Sequence, residues 1–250
     1  TKDMLLTIQI PTFMGFDNPQ QNTGKMNTTG WEAQIGWYDQ LGDWSYHATF
    51  NLSDTKSKMG DLGGTQFLGD KIKIKGSEFD EWYGYKAIGI YQTQEQVDNS
   101  AKTSNSVKVG DLWYEDISGP DGVPDGKISA EYDRVLLGGS LPRYEYGATI
   151  GASYKNLDFG LTIQGVGKQN ARITKEMVEP LRENWGNIPT LLDGKVYSHY
   201  NTPEQNLKAK YPRLTRTNES NNYAMSDFWL FNGRYMRLKN VNFGYTLPKE

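Results

Sequence analysis

Tyr144-Glu-Tyr-Gly-Ala-Thr-Ile-Gly-Ala-Ser-Tyr154 is followed, after only Lys155-Asn156, by Leu157-Asp-Phe-Gly-Leu-Thr-Ile-Gln-Gly-Val166. In the first run Tyr144, Tyr146, Ala148, Ile150, Ala152 and Tyr154 alternate with Glu145, Gly147, Thr149, Gly151 and Ser153. In the second, Leu157, Phe159, Leu161 and Ile163 alternate with Asp158, Gly160, Thr162 and Gln164. Successive side chains of a strand leave on opposite faces, so each run has one apolar face and one small or polar face. Two such runs joined by two residues predict a hairpin. Its apolar face must meet either a protein core or lipid, and that choice decides the fold.

The same alternation recurs along the chain. Met4, Leu6, Ile8 and Ile10 form one apolar set, ended by Pro11; Trp31, Ala33, Ile35 and Trp37 form another; Trp44, Tyr46, Ala48, Phe50 and Leu52 make the cleanest one. Strands are therefore expected near 3–10, 29–38, 44–54, 143–154, 157–166 and 234–246. The last changes parity, with Met236 and Leu238 on one face and Val241, Phe243 and Tyr245 on the other, and a β-bulge near Lys239 and Asn240 would reconcile the two halves. Between the strands lie long segments at 11–28, 55–142 and 167–233. The first of the two larger ones should contain short strands at Trp82–Tyr91 and Val109–Tyr114 and a brief helix at Thr93–Ala101. The second should contain a helix from Thr174, interrupted at Pro180.

Connections after Trp37, Tyr154 and Tyr245 are tight, whereas those after Ile10, Leu52 and Val166 are long. In an up-and-down barrel alternate turns fall at opposite ends, so short turns gather on one side and long loops on the other, the asymmetry of outer-membrane barrels. The expected fold is all-β: about six strands of an antiparallel transmembrane β-barrel with long extracellular loops. Mean hydropathy is −0.70 and no run reaches the ~18 apolar residues of a membrane helix, but alternating strands average out in such a measure. The competing reading is a soluble extracellular β-sandwich that displays carbohydrate-binding loops. Composition removes other classes: without cysteine there is no disulfide or thiol chemistry, and a net charge of −3 argues against a nucleic-acid partner. Both ends read as cuts through a longer protein.

Four segments, in order, resemble the SusC/RagA family of TonB-dependent outer-membrane transporters. Arg234-Tyr-Met-Arg-Leu-Lys-Asn-Val-Asn-Phe-Gly-Tyr-Thr-Leu-Pro248 is similar to the family's F-L-R-L-K-N-V-x-L-G-Y-T-L-P strand, and Asn27-Thr-Thr-Gly-Trp-Glu32 to its N-x-G-x-E strand entry. Tyr83-Gly-Tyr-Lys-Ala-Ile-Gly-Ile-Tyr-Gln92 resembles Y-G-Y-K-x-D-G-I-F-Q. Gly110-Asp-Leu-Trp-Tyr-Glu-Asp-Ile-Ser-Gly119, with Asp125-Gly-Lys-Ile128, Asp133-Arg134 and Leu141-Pro142 downstream, resembles G-D-I-x-Y-x-D-x-N-G-D-G-x-I-x-x-x-D-R. The resemblance implies a barrel of about 22 strands, with this chain supplying a C-terminal part and the plug domain absent. It further implies location in the bacterial outer membrane, import of an oligosaccharide or peptide, a SusD-like lipoprotein partner, and coupling to TonB through absent N-terminal parts.

The acidic loop is the candidate metal site. Asp116, Ser118 and Asp125-Gly126 can be laid on a calcium loop with oxygen ligands at alternate positions, closed by the carbonyl of Lys127 and the carboxylate of Asp133. Gly119–Pro124 is longer than such a loop normally allows, Asp121 competes as a ligand, and Asp133 falls one place late, so an ordinary solvated turn fits as well. Trp82, Tyr85, Trp185 and Trp229, among other loop aromatics, are candidates for stacking on a sugar or gripping a peptide; packing within large ordered loops accounts for them equally. No catalytic constellation is present, since His47 and His199 have no neighbouring nucleophile.

Overall fold

The computed structural model describes residues 1–7, 15–63, 67–172, 179–181, 187–215 and 219–248. In chain order its strands are β1 (Met4–Thr7), β2 (Gln20–Gly24), β3 (Met26–Leu41), β4 (Trp44–Met59), β5 (Phe67–Leu68), β6 (Lys71–Lys73), β7 (Glu81–Tyr85), β8 (Ala87–Ile90), β9 (Leu112–Tyr114), β10 (Arg134–Gly139), β11 (Arg143–Tyr154), β12 (Leu157–Lys168), β13 (Asn170–Arg172), β14 (Leu230–Asn232) and β15 (Tyr235–Tyr245). Three short helices are α1 (Gln94–Asp98), α2 (Pro203–Leu207) and α3 (Glu219–Asn222).

The hairpin read from the sequence lies at the centre of a five-stranded antiparallel sheet ordered β15-β12-β11-β4-β3. Its apolar residues line up in rows across all five strands. Trp37, Ala48, Ile150, Leu161 and Val241 are register partners, and so are Ile35, Phe50, Ala148, Ile163 and Leu238 one step along. Nothing among the described residues covers this face: Ile35 is 71% exposed, Trp37 65% and Phe243 75%. A β-sandwich would need a second sheet over Ala48, Ile150 and Leu161, and these are left open or half-covered.

At one end the sheet is closed by two-residue turns. Gly42 and Lys155 take φ of +60° and +52° at the first turn position, where a glycine is free of strain and the lysine is not. The two turns touch, since Lys155 N–H donates to the Asp43 carbonyl at 3.4 Å and the Trp44 and Tyr154 rings lie 4.6 Å apart. The long connections, β4 to β11 and β12 to β15, leave from the other end.

The parity change in the last strand is a bulge. Asn240 pairs with Thr162 and Leu238 with Ile163, leaving Lys239 without a partner. One extra residue returns Leu238 and Met236 to the side of Val241 and Phe243, so the apolar face is continuous.

Among the described residues five strands share the wall, and β1 pairs with β2 in a separate two-stranded sheet, with Thr1 at the level of Met26, well beyond Ala33 where the apolar rows begin. The rest of the strand expected at 3–10 lies outside the described residues. Strands also outrun the alternation that revealed them. β3 starts at Met26 and β4 ends at Met59, so parts of the segments expected as loops at 11–28 and 55–142 belong to a longer ladder, and β2 lies within the first of them. The stretch expected as one strand over Trp82–Tyr91 is two, β7 and β8, in different sheets.

The large segments fold together beyond the long-loop end. Their core is Leu112, Tyr114, Ile128, Tyr223 and Trp229, flanked by Tyr85, Ala87, Ile90, Ala101, Tyr211, Ala224 and Phe228, so the two insertions share one set of buried side chains. A satellite of Tyr91, Val97 and Val107 sits under α1. That helix is short but well started: Thr93 and Gln96 form a reciprocal capping box.

Candidate functional site: a two-faced wall and its external unit

The opposite face of the wall is polar. Gln34, Thr49, Asn51, Ser53, Glu145, Thr149, Thr162, Gln164 and Lys239 line a hollow of about 620 Å³ on it. Glycines on this face make room for cross-strand neighbours: a Cβ on Gly151 would fall 2.2 Å from the His47 ring, and one on Gly147 2.5 Å from Asn51 Oδ1. His47 itself stacks near Tyr38, with ring centroids 5.9 Å apart, which accounts for it without chemistry.

Where β4 and β11 leave the apolar rows, Arg143 forks onto Asp54, with Nε on Oδ1 and Nη2 on Oδ2. Tyr144 N–H adds a bond to Asp54 Oδ1 at 3.3 Å, and Lys56 ties in Glu78 at 2.6 Å. The side-chain hydrogen bonds from Arg143 hold the Asp54 carboxyl below its ordinary range, against the opposing effect of burial.

The external unit is joined across its two insertions by a buried polar network. Asp111, fully buried, pairs with Arg213 at 2.7 Å and accepts from Asn222 Nδ2 at 2.9 Å; Asn222 Oδ1 accepts from Leu112 N–H at 3.0 Å. Tyr114 donates to the Asn221 carbonyl at 2.6 Å, and burial pushes its phenol far above the usual range, keeping it a neutral donor. A second joint brings Arg172 between Asp70 at 2.7 Å and Glu179 at 3.0 Å. Asp111 and Tyr114 fall inside the Gly110–Gly119 segment, but their partners Arg213, Asn221 and Asn222 stand about a hundred positions away and carry no motif.

Of the aromatic candidates, Trp229 is 2% exposed and donates from Nε1 to the Asn222 carbonyl, so it serves the core and offers no face to a ligand. Tyr85 packs on Tyr114 at 5.0 Å and adjoins the same core. Trp82 donates to the Asn170 carbonyl at 2.8 Å with Lys71 4.9 Å above its ring; it pins β7 to β13. Trp185 lies outside the described residues. Tyr200, another of the loop aromatics, is 87% exposed.

The acidic loop divides its candidate ligands. Asp133 is fully buried and its carboxylate is taken up by backbone, with Oδ1 accepting from Ile117 and Ser118 N–H and Oδ2 from Ser129 N–H at 2.7 Å. Asp116 and Asp125 come together: Asp116 Oδ2 accepts from Gly126 N–H at 2.7 Å and Asp125 Oδ1 from Lys127 N–H at 2.9 Å. Ser118 directs its hydroxyl to the neighbouring Gly119 carbonyl, and Asp121 is exposed. Asp116 Oδ1 is buried and accepts no hydrogen bond from the described residues. Among the described residues no group of three or more carboxylate or imidazole side chains gathers as a metal cage would require. The set fits calcium poorly, since Asp133 could bind an ion only by releasing its backbone donors.

A sheet with one uncovered apolar face, one polar face, tight turns at one end and a folded unit at the other is the wall of a barrel. No family model matches the chain. From end to end, the chain is similar to TonB-dependent receptors. It is 30% identical over 261 residues to TonB-dependent receptor P26 of Formosa agariphila, and 25% identical over 263 residues to receptor P3 of the same organism. Both alignments take in all of this chain, which spans only about a quarter of either relative, 25% and 24% respectively. Among solved structures, 99% of the chain superposes on 26% of the RagAB peptide transporter with a TM-score of 0.70 at 20% identity. The RagAB importer in its open-open state gives a TM-score of 0.68 at 18% identity. The fold is therefore that of part of an all-β barrel.

Proposed function

We propose that the chain forms part of the wall and outer surface of a bacterial outer-membrane importer, which takes up oligosaccharides or peptides with a SusD-like lipoprotein as lid. The observation that carries this reading is the open apolar face. From Ala33 to Leu41, β3 offers nine residues to the rows; at ~3.4 Å each and a tilt of ~40° they rise roughly 23 Å, against an apolar band of about 25 Å in outer-membrane barrels. Leaving Ile35, Trp37, Phe50 and Phe243 in water would be costly, and lipid is the solvent that removes the cost. The polar face then lines the lumen, the tight turns face the periplasm and the external unit faces outward. We place energy coupling through TonB outside this span.

Expressed within its full-length receptor, the segment should fractionate with the outer membrane, and cysteines placed at Ile35 or Ile150 should react with lipid-soluble maleimides while those at Thr149 react with water-soluble ones. The reverse pattern would exclude the barrel. Co-purification of a lipoprotein encoded beside the receptor, lost when residues 187–215 are replaced, would test the lid.

A further inference from the structure

The bulge in β15 decides the position of a charge. Without it Lys239 would share a face with Val241, Phe243 and Tyr245 and would project into lipid, where a charged side chain is destabilising. With it the side chain turns to the polar face, and Nζ donates to Gln164 Oε1 at 3.1 Å. An ammonium has three N–H donors, and Gln164 takes one. No carboxylate pairs with Lys239 among the described residues, although Glu145 lines the same hollow. Arg237 lies two positions away on the same face, opposite Gln164. Around this cation stand amides and hydroxyls, Gln34, Asn51, Thr49, Ser53, Thr149 and Thr162, which can hydrogen-bond a polar solute but cannot neutralise Lys239.

We propose that Lys239 is a recognition point for a carboxylate on the solute that passes through the lumen, a peptide C-terminus or a uronic acid, so that the wall itself selects for acidic cargo. This rests on the importer reading above. A bulge is the simplest way to convert a lipid-facing position into a lumen-facing one without altering the apolar rows on either side, and the residue placed there has donors to spare.

The test uses the full-length receptor in outer-membrane vesicles and two matched probe pairs: an oligopeptide with a free C-terminal carboxylate against its amide, and an oligouronate against the neutral sugar of the same length. Uptake and binding are measured for the wild type, Lys239→Gln and Lys239→Arg, with heat-modifiable gel mobility confirming that each variant is folded. We expect the acid member of at least one pair to be favoured about tenfold, one charge-assisted contact being worth that much. Lys239→Gln should abolish the preference by weakening the acid alone, and Lys239→Arg should keep it. If the wild type handles both members of each accepted pair alike, or Lys239→Gln weakens acid and neutral probes equally, the recognition role is overturned while the importer reading stands. If a folded wild type neither binds nor passes any probe, the recognition role is overturned, and the importer reading is judged separately by the cysteine labelling above.

Discussion

Arg143 meets Asp54 through two parallel N–H···O bonds, and the pair sits where β4 and β11 pass from the two-faced wall into the external unit. The long connection returns to the wall at Arg143, so the fork ties the start of β11 to β4. Arg143 also approaches Glu78 at 3.8 Å, which Lys56 holds from the other side.

Asp54 has its carboxyl held below the ordinary value, so it binds a proton less readily folded than unfolded. Its contribution is fully present above the unfolded carboxylate range near pH 4 and is lost as pH falls through the lower folded value. Limited proteolysis of the external unit, followed from pH 6 down to pH 2.5, should show cleavage rising only below about pH 4. Asp54→Asn should raise cleavage across the whole range and flatten the profile; a profile that Asp54→Asn leaves unchanged would assign the acid sensitivity elsewhere.

Ile150 and Thr149 are neighbours on one strand and face different media. Ile150→Arg puts a charge in the middle apolar row, beside Ala48 and Leu161, and should cost about 2–4 kcal/mol of barrel stability. Thr149→Arg, in the polar row with Thr49 and Thr162, should cost under about 1 kcal/mol. Urea midpoints of the full-length barrel in vesicles would check the difference, and equal losses would contradict the assignment of faces.

Trp229 belongs to the shared core of the two insertions. Trp229→Ala should destabilise the external unit by about 3–5 kcal/mol, through lost packing and the orphaned Asn222 carbonyl, with no selective loss of ligand affinity. Hydrogen exchange across Leu112–Tyr114 and Asn221–Met225 reports the loosening. The wall strands should keep their protection.

Gly84 is a close backbone crossing between the insertions. A Cβ there would lie 2.2 Å from the Met225 carbonyl oxygen, which accepts from Tyr85 N–H at 2.8 Å. Gly84→Ala should therefore part the two chains and deprotect the Tyr85 amide, whereas Gly122→Ala, with open space around its Cβ position, tests only the backbone strain of its φ of +76°. An unchanged Tyr85 exchange rate in Gly84→Ala would mean that the neighbouring segment yields freely.

The sequence by itself determined the wall. Alternation with a period of two is a local property, so Tyr144–Tyr154, Leu157–Val166 and Trp44–Leu52 announce their strands and faces without any knowledge of partners, and the parity break at Lys239 announces the bulge. Only the tertiary structure decided that β1 joins β2 in a sheet of its own and does not enter the wall, since pairing is a relation between segments. It alone decided that Trp229 and Tyr85 face a core, an outcome that rests on contacts between segments a hundred or more residues apart, such as Leu112 with Asn222 and Tyr85 with Met225, and that Asp133 is taken up by the backbone donors of Ile117, Ser118 and Ser129. A strand's faces are fixed by the geometry of its own backbone, whereas burial of a loop residue depends on which distant segment folds over it, and no local pattern encodes that choice.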